Sequence, residues 1–309
     1  MNGHLLVVQP HLPLSTPKRM HSSFYRFLAF LLLLASAAAQ TGAAGASPAT
    51  PAEDEGARKA HSLIEQTIQA LGGQAYLTST ERSEEGRYYS FFHGQSNSAG
   101  IVFGAYTKYP DKDRLEVLHM RAYHILWWTV GDVPAKDKSD IVVIHNGDKG
   151  YEITFKGTAA EEPAATTAYI RRRKHSLDWV LRQWIHEPGV AFFYEGTAIA
   201  AGKPAQQVTL TTAQNDSVTL FLDQDTHLPI KTSYSWRDPA DKLRNVEEVV
   251  YDGYKPVQGI MTPHSITRYL NGDMSHQRFL TVVNYNQEIP DALFDATVTY
   301  DPTKWQPKH

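Results

Sequence analysis

The sequence predicts a mainly β protein with a smaller α part, in which two helices pack on a single antiparallel sheet. Three observations carry that reading. From Phe192 to Phe294 the chain is a succession of runs in which apolar and polar residues alternate: 205–211, 217–222, 228–236, 245–251, 260–270 and 277–285. Side chains of a strand point alternately to its two faces, so period two over short successive runs indicates a meandering sheet with one buried face. Val218, Leu220 and Leu222 fall on one face, and Ile230, Thr232, Tyr234 and Trp236 face away from Lys231, Ser233 and Ser235. Second, turn-forming residues separate the runs. Gly202-Lys203-Pro204, Asn215-Asp216, Asp238-Pro239 and Asp252-Gly253 are of that kind. Asn271-Gly272 is the strongest signal, because a two-residue hairpin turn needs positive φ at both positions. Third, two segments carry helical periodicity and must bury an apolar stripe against that sheet.

The N-terminus reads as an export signal. Phe27 to Ala39 is an unbroken run of apolar and small residues, preceded by Lys18, Arg19 and Arg26 and ending in Ala35-Ser36-Ala37-Ala38-Ala39. A run this short, basic before and small-residued after, is the layout of a cleaved secretory signal over residues 1–39, with a retained membrane anchor as the alternative reading. Pro10, Pro13 and Pro17 interrupt the first residues, and Met20 opens a more ordinary signal, so translation is expected to begin there. Cleavage near Ala39 removes three basic residues and no acid, taking the net charge of −3 down by three, to −6. There is no cysteine. Disulfides, thiolate metal sites and a lipidated N-terminal cysteine are thereby excluded. A soluble periplasmic or secreted protein, without a permanent membrane anchor and monomeric, is expected.

Residues 40–56 are rich in Ala, Gly, Ser, Thr and Pro and are expected to be a disordered linker. A helix follows, in which Ala60, Leu63, Ile64, Thr67, Ile68 and Leu71 match the i, i+3, i+4, i+7 template and Gly72-Gly73 supplies the stop. Acids precede its first turn, where the helix dipole favours them. Strands are expected over 84–92, 100–108 and 113–118, with a hairpin over 141–156. Tyr123 to Val130 does not alternate; it is either buried on both faces or an apolar rim that includes Trp127 and Trp128. Glu161 to Thr167 reads as a linker into the run Arg171-Arg172-Arg173-Lys174. That run is either a solvated connector or a contact for anionic headgroups or an acidic partner. A second helix starts at Ser176, a fitting N-cap, and ends before Pro188-Gly189. Its apolar residues Leu177, Val180, Leu181, Trp184 and Ile185 are too many to leave in water, so it should dock on the concave side of the sheet.

No catalytic motif stands out. The chain has no Gly-x-Ser-x-Gly elbow, phosphate loop, dinucleotide fingerprint or His-Glu-x-x-His helix. Asp223-Gln224-Asp225 sits between strands, where acids bond to turn backbones. His119, His124, His264 and His276 read as ordinary histidines, so no catalytic residue, metal ligand or cofactor is assigned. With a mature charge of about −6 and no basic stripe interleaved with aromatics, nucleic acid is not an expected partner.

The order of elements and several motifs together resemble the LolA/LolB-like lipoprotein-localisation superfamily, and more closely its uncharacterised outer-membrane lipoprotein-sorting-like proteins. The motifs are Leu71-Gly72-Gly73, Tyr194-Glu195-Gly196, Gly202-Lys203-Pro204-Ala205, Asp223 to Pro229, Gly259-Ile260-Met261-Thr262-Pro263 and Ile289-Pro290-Asp291-Ala292-Leu293-Phe294. The resemblance implies a strongly curved, incomplete β-barrel over residues 57–297, with helices on its concave side, an apolar cavity beneath them, and a C-terminal tail over 298–309. It implies a hydrophobic small molecule or lipid as ligand, or an envelope protein or lipoprotein as partner. The absence of a cysteine after the signal departs from the lipid-anchored LolB pattern. The expected function is non-catalytic binding of a lipid, an acyl chain or a lipoprotein's lipid moiety, with Trp127, Trp128, Trp179, Leu181, Trp184 and Ile185 lining the cavity. An envelope interaction or regulatory protein with a filled core is the second reading, and a hydrolytic or metal-dependent enzyme the third. Mass spectrometry of the precursor's N-terminal peptide is expected to place the start at Met20; a peptide containing residues 1–19 would refute it.

Overall fold

Helix α1 (Pro51–Leu71) buries the stripe its periodicity marks: Ala60, Thr67, Ile64 and Leu71 are at most 2% exposed, and Leu63 and Ile68 at most 7%. The protein is seen here as a computed structural model that describes residues 51–96, 100–121, 132–134 and 141–303. Residues 1–50 and 304–309, and with them the expected signal and most of the expected linker, lie outside the described residues, as do Trp127, Trp128 and His124. Residues 51–56, expected to be disordered, already belong to α1. A proline in the first turn lacks only an N–H that a helix start leaves unbonded, and the segment's acidic composition suits a helix N-terminus. Gly72 and Gly73 end α1 at φ of 127° and 57°. Gly72 has a further reason to be glycine, because a Cβ there would collide with the backbone carbonyl of Gly259.

After the short α2 (Gln74–Thr78) come β1 (Glu81–Phe92), β2 (Gln95–Ser96), β3 (Ile101–Lys108), β4 (Lys112–Arg121) and β5 (Asp132–Pro134). Next are β6 (Ile141–Asn146), β7 (Lys149–Thr154) and β8 (Gly157–Ala160). Helices α3 (Pro163–Lys174) and α4 (Leu177–Arg182) and a 3-10 turn (Trp184–His186) follow. The second run of strands is β9 (Ala191–Ala200), β10 (Lys203–Thr211), β11 (Ser217–Asp223), β12 (Pro229–Arg237), β13 (Arg244–Val257), β14 (Ile260–Leu270) and β15 (Asp273–Tyr285). A 3-10 turn at Asp291–Phe294 closes the series.

All strand pairs are antiparallel, in the order β8-β7-β6-β4-β3-β1-β15-β14-β13-β12-β11-β10-β9, with β2 beside β1 and β5 beside β4. The sheet is open and curved, a half-barrel. The alternation that marked the strands is the burial pattern itself: Val218, Leu220 and Leu222 are fully buried, and so are Val208 and Leu210 on the neighbouring β10. Asn271 and Gly272 take φ of 53° and 88° and turn β14 into β15. Asp223 accepts from the N–H groups of Asp225 and Thr226, so the Asp-Gln-Asp triplet is turn chemistry.

The order has a geometric consequence. Strands β8 and β9, joined directly by the helical segment, lie at opposite ends of the sheet, so α3 and α4 must cross its face. The sequence suggests one helix here and a linker over 161–167; the structure has two, and α3 begins inside that linker. No residue of α3 is buried, which is why it shows no apolar stripe. By contrast α4 is the predicted apolar helix. Ser176 caps it by accepting from the Trp179 N–H at 3.2 Å, and Leu177, Val180 and Leu181 enter the main core with Trp184.

Truncating Leu220 to alanine should cost about 2–5 kcal/mol, the usual range for a fully buried leucine. Ile199→Ala, at 71% exposure, should stay within about 0.5 kcal/mol. Urea midpoints of the two variants check the contrast; equal values would contradict the assigned inner face.

Candidate functional site

Between the crossover and the concave face lies a cavity of about 510 Å³. Its walls come from α3 and α4 on one side and from strands on both halves of the sheet on the other. The lining is mixed. Leu115, Val249, Ile266 and Trp179 give it apolar surface, while tyrosines, arginines and carboxylates supply polar groups.

One end of the cavity is a dense polar junction at the foot of α4. Asp178 accepts from the hydroxyls of Tyr76 at 3.0 Å and Tyr109 at 3.2 Å, and pairs with Arg82 at 3.3 Å and Arg182 at 3.7 Å. Burial alone would raise its pKa, but the two guanidinium groups and the two phenols hold it below the ordinary value. Arg182 in turn donates to the Ser79 carbonyl and hydroxyl, each at 2.8 Å, and lies 4.1 Å from the Tyr109 ring centroid and 4.4 Å from that of Tyr76. Thus α4 is tied to α2, to β1 and to the β3–β4 turn through one carboxylate.

Polar contacts also hold α3. Arg173 donates to the carbonyls of Asp111 at 2.8 Å and Gly147 at 2.6 Å. His145 meets Glu161 at 2.8 Å and stacks on Tyr169 with ring centroids 3.5 Å apart. At the C-terminal end of α3, His175 meets Asp216 at 2.7 Å and stacks on Tyr234 at 4.2 Å.

Along the centre of the sheet the wall is cationic. Arg268 of β14 stands opposite His276 of β15, and Arg278 opposite Ile266, so these side chains share the inner face of one hairpin. On the other flank of β15, Arg278 stands opposite Tyr88 of β1 and reaches Glu84 at 2.9 Å. Tyr88 stacks on His276 with centroids 5.2 Å apart. Burial, together with Arg268, Arg278 and Arg172, pushes the His276 pKa down to about 3.

The expected site residues separate into three groups. Trp179, Arg172 and Arg173 line the cavity. Leu181 and Trp184 are core, 0% and 3% exposed, and Ile185 packs against that core. Of the basic run, Arg171 lies over the Trp236 ring at 3.9 Å, and Lys174 is exposed. It is therefore the flank of α4 carrying Asp178, Trp179 and Arg182 that faces the cavity, with Leu177 at the boundary, and not the stripe around Leu181. The sequence singles out neither Arg268 nor Arg278 and marks His276 as an ordinary histidine, whereas all three line the cavity. The available signal was charge at inward positions of strands that otherwise alternate. Among the described residues no group of three or more His, Asp or Glu is placed to hold a metal ion.

The depressed His276 pKa has a stability consequence. An unfolded histidine titrates near 6.5, so between that value and about 3 the unfolded chain binds more protons than the folded one. This contribution is fully present above about pH 6.5 and is lost as the pH falls. His276→Gln should accordingly lose less stability than the parent between about pH 6.5 and 5. Urea midpoints across that interval test this, and parallel curves would refute it.

No protein-family model matches this chain, and no curated protein matches it. Solved structures do. A DUF1329 family protein from Desulfovibrio piger is similar at 12% identity and a TM-score of 0.50, over 76% of this chain and 97% of that one. An outer membrane lipoprotein-sorting protein domain from Vibrio parahaemolyticus is 9% identical over 77% of this chain and 97% of its own, with a TM-score of 0.48. A LolA superfamily protein from Nitrosomonas europaea is 10% identical over 76% and 97%, with a TM-score of 0.44. Likeness at such identity concerns architecture alone. The chain shares its overall fold with the Desulfovibrio piger protein, and in this chain that fold is an open, curved antiparallel half-barrel.

Proposed function

We propose that this chain is an exported, non-catalytic binding protein that holds a hydrophobic ligand in the cavity beneath its crossover. The ligand class is a lipid, an acyl chain or the lipid moiety of a lipoprotein. The observation that carries this reading is the volume of about 510 Å³ left between the α3–α4 segment and the sheet. Ligand cavities run from about 300 to 1,000 Å³, and a protein whose sheet served only as a docking surface would have a filled interior. Apolar side chains on two faces of the space, Leu115 and Val249 on the sheet and Trp179 on α4, suit an alkyl chain. Among the described residues no helix is long and apolar enough to cross a membrane. Export rests on the N-terminal signal.

Native mass spectrometry of protein purified from an envelope fraction should reveal a co-purified lipid, and the emptied protein should bind the uncharged dye Nile red. Val249→Trp, which places a large ring in the cavity from β13, should weaken dye binding at least about tenfold while the far-ultraviolet spectrum stays unchanged. A parent protein that carries no lipid and binds no dye would refute the proposal.

A further inference from the structure

The charges around the cavity do not cancel locally. Arg82, Arg182 and Arg278 share two carboxylates, Glu84 and Asp178, at 2.9–3.7 Å. Arg114 is satisfied by Glu116 at 2.6 Å, and Arg173 has Asp113 at 3.8 Å and two carbonyls. That leaves Arg172 and Arg268. Among the described residues neither has a carboxylate within ion-pair distance. Arg268 makes one long contact, from Nε to the Ser275 hydroxyl at 3.4 Å. Glu247 is the remaining lining carboxylate near Arg268, and it makes no ion pair with it. Burial first, then Arg172, depress the pKa of Arg268, and the charge of Glu247, which works the other way, does not offset them.

Holding cations together away from water is costly unless something neutralises them. Here the register of β1, β15 and β14 sets Arg278, His276 and Arg268 side by side on the inner face, and Arg172 faces the same cavity from α3 across it. Guanidinium groups suit phosphate and carboxylate oxygens, because their forked donors match those acceptors two at a time. We propose that Arg172, Arg268 and Arg278, with His276 as a further hydrogen-bond partner, form an anion site on the cavity wall that takes the phosphate or carboxylate group of an amphiphile. The alkyl part of that molecule lies along Val249, Leu115 and Trp179, so the proposal deepens the binding function given above and rests on it. Arg278 is already drawn to Glu84; Arg172 and Arg268 are the two that an incoming anion completes.

Isothermal titration calorimetry of the mature chain with decyl phosphate, decanol and inorganic phosphate separates the two claims. Decyl phosphate should bind at least about tenfold tighter than decanol, a preference of about 1.4 kcal/mol. Arg268→Gln should bring the two ligands to parity by weakening decyl phosphate, with the far-ultraviolet spectrum unchanged. Arg172→Gln, on the crossover rather than in the sheet, should do the same and guards against a folding defect in the first variant. Inorganic phosphate bound by the parent and lost in Arg268→Gln, without decanol binding, would uphold the anion site with a free anion as its occupant and refute the apolar reading. Equal affinity of the parent for decyl phosphate and decanol would overturn the anion site and leave the apolar cavity standing. No binding of any probe would overturn both.

Discussion

The cavity exists because Asp178 keeps the crossover anchored at its foot. A wholly apolar helix laid across a curved sheet settles into it until no space is left, since close packing is the favoured state of an apolar interior. Here only half of the crossover behaves so. The Leu177–Leu181 face of α4 joins the core, while Asp178 on its other flank gathers Tyr76 from α2, Arg82 from β1 and Tyr109 from the β3–β4 turn, together with Arg182 of α4 itself. Removing one partner from such a cluster strands the others, so the junction is rigid by mutual dependence. The preceding helix, α3, is then suspended by hydrogen bonds and ring stacking at Glu161, Arg173 and His175. None of its residues is fully buried. Space beneath it is the result.

Much of this could be read from residue order alone, and the reasons are physical. Helix α1 and strands β10 to β12 each bury one face, so their periodicity survives in the sequence as a direct imprint of burial. Asn271-Gly272 and Gly72-Gly73 are legible because left-handed backbone selects them chemically. Helix α3 left no such trace. Its stabilising partners are Asp111, Gly147 and Asp216, distant in the chain, and a polar helix held at its ends looks like a linker.

The site was legible only in part, for a similar reason. A tryptophan on an amphipathic helix signals an apolar neighbour, but not whether that neighbour is core or cavity. Trp179 faces the space and Trp184 is core, although five positions separate them. The contiguous basic run was conspicuous, and two of its four members line the cavity. Arg268 and Arg278 were not conspicuous, because strand pairing, which no local window contains, is what brings them beside His276.

The strand order has a bearing on biogenesis. The sheet grows outward from β1 through β3, β4, β6, β7 and β8, and the remaining strands then approach from the far end until β15 meets β1. That seam joins Glu84 to Arg278, 194 residues apart, so it is the last pairing available to a chain emerging from its N-terminus. Until then β1 presents a long row of unbonded peptide groups, the kind of border that recruits foreign strands. A nascent copy therefore carries an unpaired border until its last strand is made.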